Sequence, residues 1–144
     1  MWDLNKGNLI ATYPCGSKCY ASATDGYTIY TGHNNGSLKG WQQNKKTAII
    51  DTKINSDSGS ISYMLLSTDN NYLVSMSKGN DINVIDLRMH KTLKSLSLEK
   101  ISFPNGRVQF DIDKQLSRAF IGDNTGTGTV GFDNQDIRLV GVCA

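Results

Sequence analysis

Proline occurs only twice in 144 residues and cysteine only three times. No apolar run approaches the ~18 residues that a membrane-spanning helix needs. Residues 1–20 hold no apolar core of about seven or more, so no signal peptide is expected there. A soluble, cytoplasmic protein is the expectation. Charge is sparse, with 19% charged residues and a net charge of +2. No basic run exceeds Lys45-Lys46, which leaves no footprint for nucleic acid. No amphipathic pattern of period 3.6 runs far enough to make a helix. Cys15, Cys19 and Cys143 cannot all pair with one another, and in a cytosolic chain they are expected to be reduced. Asn35-Gly36-Ser37 fits the glycosylation acceptor pattern, which is idle without an export signal.

What the chain has in quantity is turn and strand chemistry. There are 14 glycines and six tyrosines, with many Thr, Ser and Asn. That mixture suits short strands joined by tight turns. The stretch Gly32-His33-Asn34-Asn35-Gly36-Ser37-Leu38-Lys39-Gly40-Trp41 reads as a polar turn, then a strand ending on a large aromatic. The same grammar recurs at Trp2-Asp3-Leu4, at Ile85-Asp86-Leu87 and at Phe132-Asp133. Anchors at 2, 41, 85 and 132 give periods of 39, 44 and 47 residues. A period of ~40–45 residues with four short strands per unit is the signature of β-propeller blades.

Registered on those anchors, the chain is all-β. Residues 1–16 hold the end of a third strand and an orphan outer strand over Leu9–Tyr13. A first blade spans about 17–53, with strands at Lys18–Ala23, Tyr27–Thr31, Ser37–Gln42 and Thr47–Lys53. Asp25-Gly26 is its hairpin signal. A second blade spans about 54–98, with strands at Ser60–Ser67, Tyr72–Ser77, Ile82–Leu87 and Thr92–Leu98. A third, about 99–144, follows the loop Glu99–Gly106, with strands at Arg107–Ile112, Leu116–Gly122, Thr129–Asp133 and Ile137–Val142. On the strand through Ile85, alternation puts Ile82, Val84 and Asp86 on one face and Asn83, Ile85 and Leu87 on the other. Trp2, Trp41, Ile85 and Phe132 are the predicted structural anchors, filling space between adjacent blades.

These repeats resemble WD repeats over essentially the whole chain. Three stretches further resemble the C-terminal propeller of the autophagy protein sixteen-like family. They are Pro14-Cys15-Gly16-Ser17-Lys18-Cys19, Thr31-Gly32-His33 running to Trp41, and Val84-Ile85-Asp86-Leu87-Arg88. Ser102-Phe103-Pro104-Asn105-Gly106 sits where that family has a comparable glycine-containing connection. The resemblance implies a non-catalytic protein-interaction scaffold in autophagy, reaching membranes only through partners. The pattern also departs from the family. Gly16-Ser17 and Gly59-Ser60 replace the usual Gly-His before an inner strand, and Gly32-His33 lies between second and third strands. The usual buried histidine network therefore lacks its histidine. Propellers have ~4–8 blades, so three do not close a ring, and self-association or complementation by a chain carrying the missing blades is expected. The alternatives are a propeller-type enzyme or accessory domain, or a truncated fragment without independent function.

Other motifs reduce to structural readings. Gly126-Thr127-Gly128-Thr129-Val130-Gly131 matches a dinucleotide fingerprint, yet a strand follows it where a helix is required. Cys15, Cys19 and His33 fall short of the four ligands that zinc wants. Asp111 and Asp113 lie two apart, as acid–base pairs sometimes do, but read as solvated turn residues. His33 and His90 both fall in predicted turns, and no nucleophile elbow is present. No cofactor, metal or catalytic residue is expected, and the partners are expected to be proteins.

Overall fold

The computed structural model describes residues 1–54, 59–98, 109–114, 116, 118–122, 129–132 and 137–139, the last two segments as backbone. Among them the chain is all-β and contains no helix. It opens with a two-stranded antiparallel hairpin, β1 (Trp2–Asp3) and β2 (Asn8–Leu9). Three four-stranded sheets follow, each an antiparallel meander in chain order. Sheet I is β3 (Cys19–Thr24), β4 (Thr28–His33), β5 (Ser37–Gln42) and β6 (Ile50–Lys53). Sheet II is β7 (Ile61–Leu66), β8 (Tyr72–Ser77), β9 (Asp81–Asp86) and β10 (Lys91–Ser97). Sheet III is β11 (Phe110–Ile112), β12 (Arg118–Ile121), β13 (Thr129–Phe132) and β14 (Ile137–Leu139).

The turns explain why these strands end where they do. At Asp25-Gly26 the carboxylate Oδ1 accepts from the N–H groups of Tyr27 and Thr28, and Gly26 takes φ +94°. Asp69 caps the β7–β8 turn the same way, accepting from Asn71 N–H while Asn70 sits at φ +57°. Asp86 Oδ1 accepts from Arg88 and Met89 N–H to turn β9 into β10. A short acidic side chain that satisfies two turn donors locally is what lets strands of six residues reverse so sharply.

Two apolar layers hold the sheets together. One joins Ala21, Tyr30, Leu38 and Ile50 of sheet I to Ile61, Met64, Leu73, Ile85 and Leu87 of sheet II. The other joins Val74, Met76, Ile82 and Leu96 of sheet II to Phe110, Ala119 and Ile121 of sheet III. Sheet II is thus apolar on both faces, which is why its strands read as near-continuous hydrophobic runs. Alternation along β9 divides as the sequence suggests, with Ile82 and Val84 in one layer and Ile85 and Leu87 in the other. Sheets I and II meet closest where β3 and β4 approach β7. There Gly32 is obligatory, since a Cβ on it would stand 2.5 Å from Ile61 Cγ2 and 2.8 Å from Ile61 Cβ.

Two expectations need correction. The N-terminal element is a paired hairpin, and its second strand covers Asn8–Leu9 and not Leu9–Tyr13, because Ile10 and Ala11 N–H instead bond the Met1 carbonyl. His33 is not a turn residue: it closes β4, paired with Cys19, and is fully buried. The connection at 55–58, the loop Glu99–Gly106, the segment 123–128, Asp133 and Cys143 lie outside the described residues.

Candidate interaction surface

The outer face of sheet I, turned away from sheet II, is built on a polar chain. Alternation along β4 and β5 sends Ile29, Thr31 and His33, with Ser37, Lys39 and Trp41, to that side. Trp41 Nε1–H donates to Thr31 Oγ1 at 2.8 Å. Thr31 Oγ1 lies 2.9 Å from His33 Nε2, and His33 Nδ1 lies 2.9 Å from Ser17 Oγ. A neutral imidazole uses one nitrogen as donor and the other as acceptor, so either tautomer satisfies both hydroxyls. Burial pushes the His33 imidazole below its ordinary value, against the opposing pull of the backbone at Ser17.

This chain ties residues 13–18 onto sheet I. Tyr13 stacks obliquely on Trp41 with ring centroids 5.5 Å apart, and Asn34 N–H donates to the Lys18 carbonyl. A hydrogen-bonded chain through a histidine is therefore present. Ser17 precedes β3, and His33 stands at the end of β4. The sequence signal was Thr31-x-His33 followed ten residues after Thr31 by Trp41, read with strand periodicity.

Sheet II keeps the frame without the network. Ser75 sits opposite Asn83 as Thr31 sits opposite Lys39, and Ile85 follows Ser75 at the same ten-residue spacing. With no indole there, the Ser75 hydroxyl and the Asn83 amide are buried without a hydrogen-bond partner among the described residues. Sheet II instead carries an ion pair at its outer turn. Arg88 Nη2 donates to Asp86 Oδ2 at 2.9 Å and to Tyr72 Oη at 3.1 Å, with its guanidinium 5.5 Å from the Tyr72 ring centre. Hydrogen bonds from Arg88 hold the Asp86 carboxyl down to about 2.

Of the four anchor positions, Trp41 and Ile85 are buried. Trp2 is 62% exposed, with no sheet covering it among the described residues. Phe132 lies in β13, and its side chain is outside the described residues. Leu4, Leu9 and Ile10 share the exposure of Trp2, giving the hairpin an apolar surface. A second surface feature is a shallow groove of about 470 Å³ between sheets II and III, lined by Tyr63, Leu65, Gln109, Phe110, Asp111 and Phe120.

The polar groups singled out in the sequence do not converge. His33 spends both ring nitrogens on hydroxyls, which leaves neither for a metal. Cys15 and Cys19 are free thiols, and burial pushes the Cys19 thiol up. Asp111 faces solvent, and Asp113 Oδ1 accepts from Arg118 N–H at a turn. Among the described residues no three His, Cys, Asp or Glu side chains gather around one point. No helix there is long and apolar enough to cross a membrane.

The geometry defines a class: successive four-stranded antiparallel sheets stacked face to face, built from a repeating turn-and-strand unit. No protein-family model matches the chain. Over 90 residues, 61% of its length, it is 30% identical to autophagy-related protein 16 of Arabidopsis thaliana. The match spans 17% of that protein.

Proposed function

We propose that this chain is a non-catalytic scaffold of WD-type propeller blades that binds other proteins in an autophagy-related process. Sheets I, II and III are the blades in this reading. The observation that carries it is the likeness to autophagy-related protein 16, which falls on a chain of stacked antiparallel sheets. The placement of polar groups supports a binding role. Asp3, Asp25, Asp69 and Asp86 are consumed by turns, and His33 by its two hydroxyls. What remains at the surface is contact area: exposed aromatics and an interblade groove on a rigid frame. The partners are proteins and the site of action is the cytoplasm, with membranes approached only through those partners.

The test is genetic. Autophagic flux is measured during starvation in source cells in which the chain is disrupted, then re-expressed. Reduced flux restored by the chain supports the reading. Unchanged flux removes the autophagy assignment.

A further inference from the structure

The segment that leads into sheet I crosses its outer face, and two thiols lie on that face. Tyr13 packs on Trp41 of β5, with ring centroids 5.5 Å apart, and Ser17 Oγ lies 2.9 Å from His33 Nδ1 at the end of β4. Cys15 stands midway along the chain between those two attachments. Cys19 opens β3 directly opposite His33, and opposed residues of an antiparallel pair project to the same side. The register shifts between Cys19 and Ala21, so Ala21 opposes Gly32 and turns toward sheet II. The Cys19 side chain is therefore on the outer face of sheet I, the face that carries residues 13–17.

The backbone between the two cysteines bends at Gly16 and Ser17, with Gly16 at φ +70°. Asn34 N–H holds the Lys18 carbonyl at 2.9 Å. Both thiols are free, Cys15 half-buried and Cys19 exposed. Burial pushes the Cys19 thiol up, and the neighbouring Cys15 adds to that shift, so each thiol lies within range of the other's charge. Cys19 accordingly stays protonated at neutral pH and reacts slowly.

We propose that Cys15 and Cys19 are a reversible redox pair, whose disulfide clasps residues 15–19 onto sheet I. The oxidant is a low-molecular-weight disulfide of the oxidised glutathione type. The exposed Cys19 thiolate attacks one sulfur of that disulfide, and one glutathione leaves as its thiolate. The Cys15 thiolate then attacks Cys19 Sγ, and the second glutathione leaves. The protein gives up two protons and two electrons, and the small disulfide becomes two thiols. Closure needs the two Cα atoms within about 4–7 Å, and glycine at position 16 supplies the backbone freedom for it. The closed ring contains Ser17, so it fixes the hydroxyl that faces His33. In a reducing compartment the pair stays open and closes only when the thiol–disulfide poise shifts. The inference does not depend on a role in autophagy.

The test equilibrates the full chain in glutathione buffers of graded ratio, blocks free thiols with iodoacetamide and digests with trypsin. Cleavage after Lys18 separates Cys15 from Cys19, so their disulfide leaves the peptide ending at Lys18 joined to the one starting at Cys19. The expected result is that this linked pair appears as the buffer turns oxidising and is lost on return to reducing buffer. In Cys15→Ser the reaction stops at a mixed disulfide of Cys19 with glutathione. Amide exchange at Gly16 and Ser17 is expected to be about tenfold slower in the oxidised protein. Thiols that stay unmodified in fully oxidised glutathione overturn the inference. So do a glutathione adduct that persists on Cys19 of the unaltered chain, and a disulfide from either residue to Cys143. Equal exchange at Gly16 and Ser17 in the two forms overturns the clasp.

Discussion

Thr31 Oγ1 serves three groups at once: the Trp41 indole, the His33 ring and, at 3.4 Å, the Lys39 carbonyl. Removing a hydroxyl that satisfies buried donors leaves them desolvated and unpaired, which costs about 1–3 kcal/mol. Thr31→Ala is expected in that range by chemical denaturation, while Ser75→Ala, whose hydroxyl satisfies nothing, leaves stability unchanged or raises it. Trp41→Ala loses the indole's packing as well and is expected to cost ~3–5 kcal/mol; a loss below ~1 kcal/mol, outside that range, contradicts its place in the core. Two titrations shape the pH dependence. The folded His33 value is depressed, so the unfolded chain takes up the proton first, and stability falls as pH drops below about 6.5. Asp86 is also depressed, from 3.8 to about 2, so its contribution is complete above about 4 and is lost between about 4 and about 2. Denaturation across that range should show both limbs, with His33→Gln erasing the upper one and Arg88→Met weakening the lower.

At the scale of the element, strand positions were largely legible, because turn chemistry is local. β5 and β8 run over the residues that alternation and the flanking Gly, Asn and Asp predict. β6 is shorter than the expected 47–53, starting at Ile50 where pairing with Gly40 begins. The site was less legible. Gly32-His33 beside Asn34-Asn35-Gly36 has the composition of a turn. What draws His33 into β4 is a hydroxyl sixteen residues earlier, and no local pattern reports that. Gly32 likewise resembles a turn glycine, but its role is to let β4 close on Ile61. Gly32→Ala overpacks that contact and is expected to cost about 1–3 kcal/mol. A neutral result in denaturation would mean that the two sheets are not in contact there.

For the molecule as a whole, the account rests on three sheets that stabilise one another through two apolar layers, with a two-stranded hairpin at one end. Sheet II, buried on both faces, should be the most stable part, and the β1–β2 hairpin the least, since local stability follows buried contact. Native-state amide hydrogen exchange on the full chain tests this most directly. The slowest amides should lie in β8 and β9 of sheet II, with those of Trp2–Leu9 exchanging orders of magnitude faster. Protection of Trp2 and Asp3 equal to that of β8 and β9, or uniformly fast exchange throughout, would contradict it.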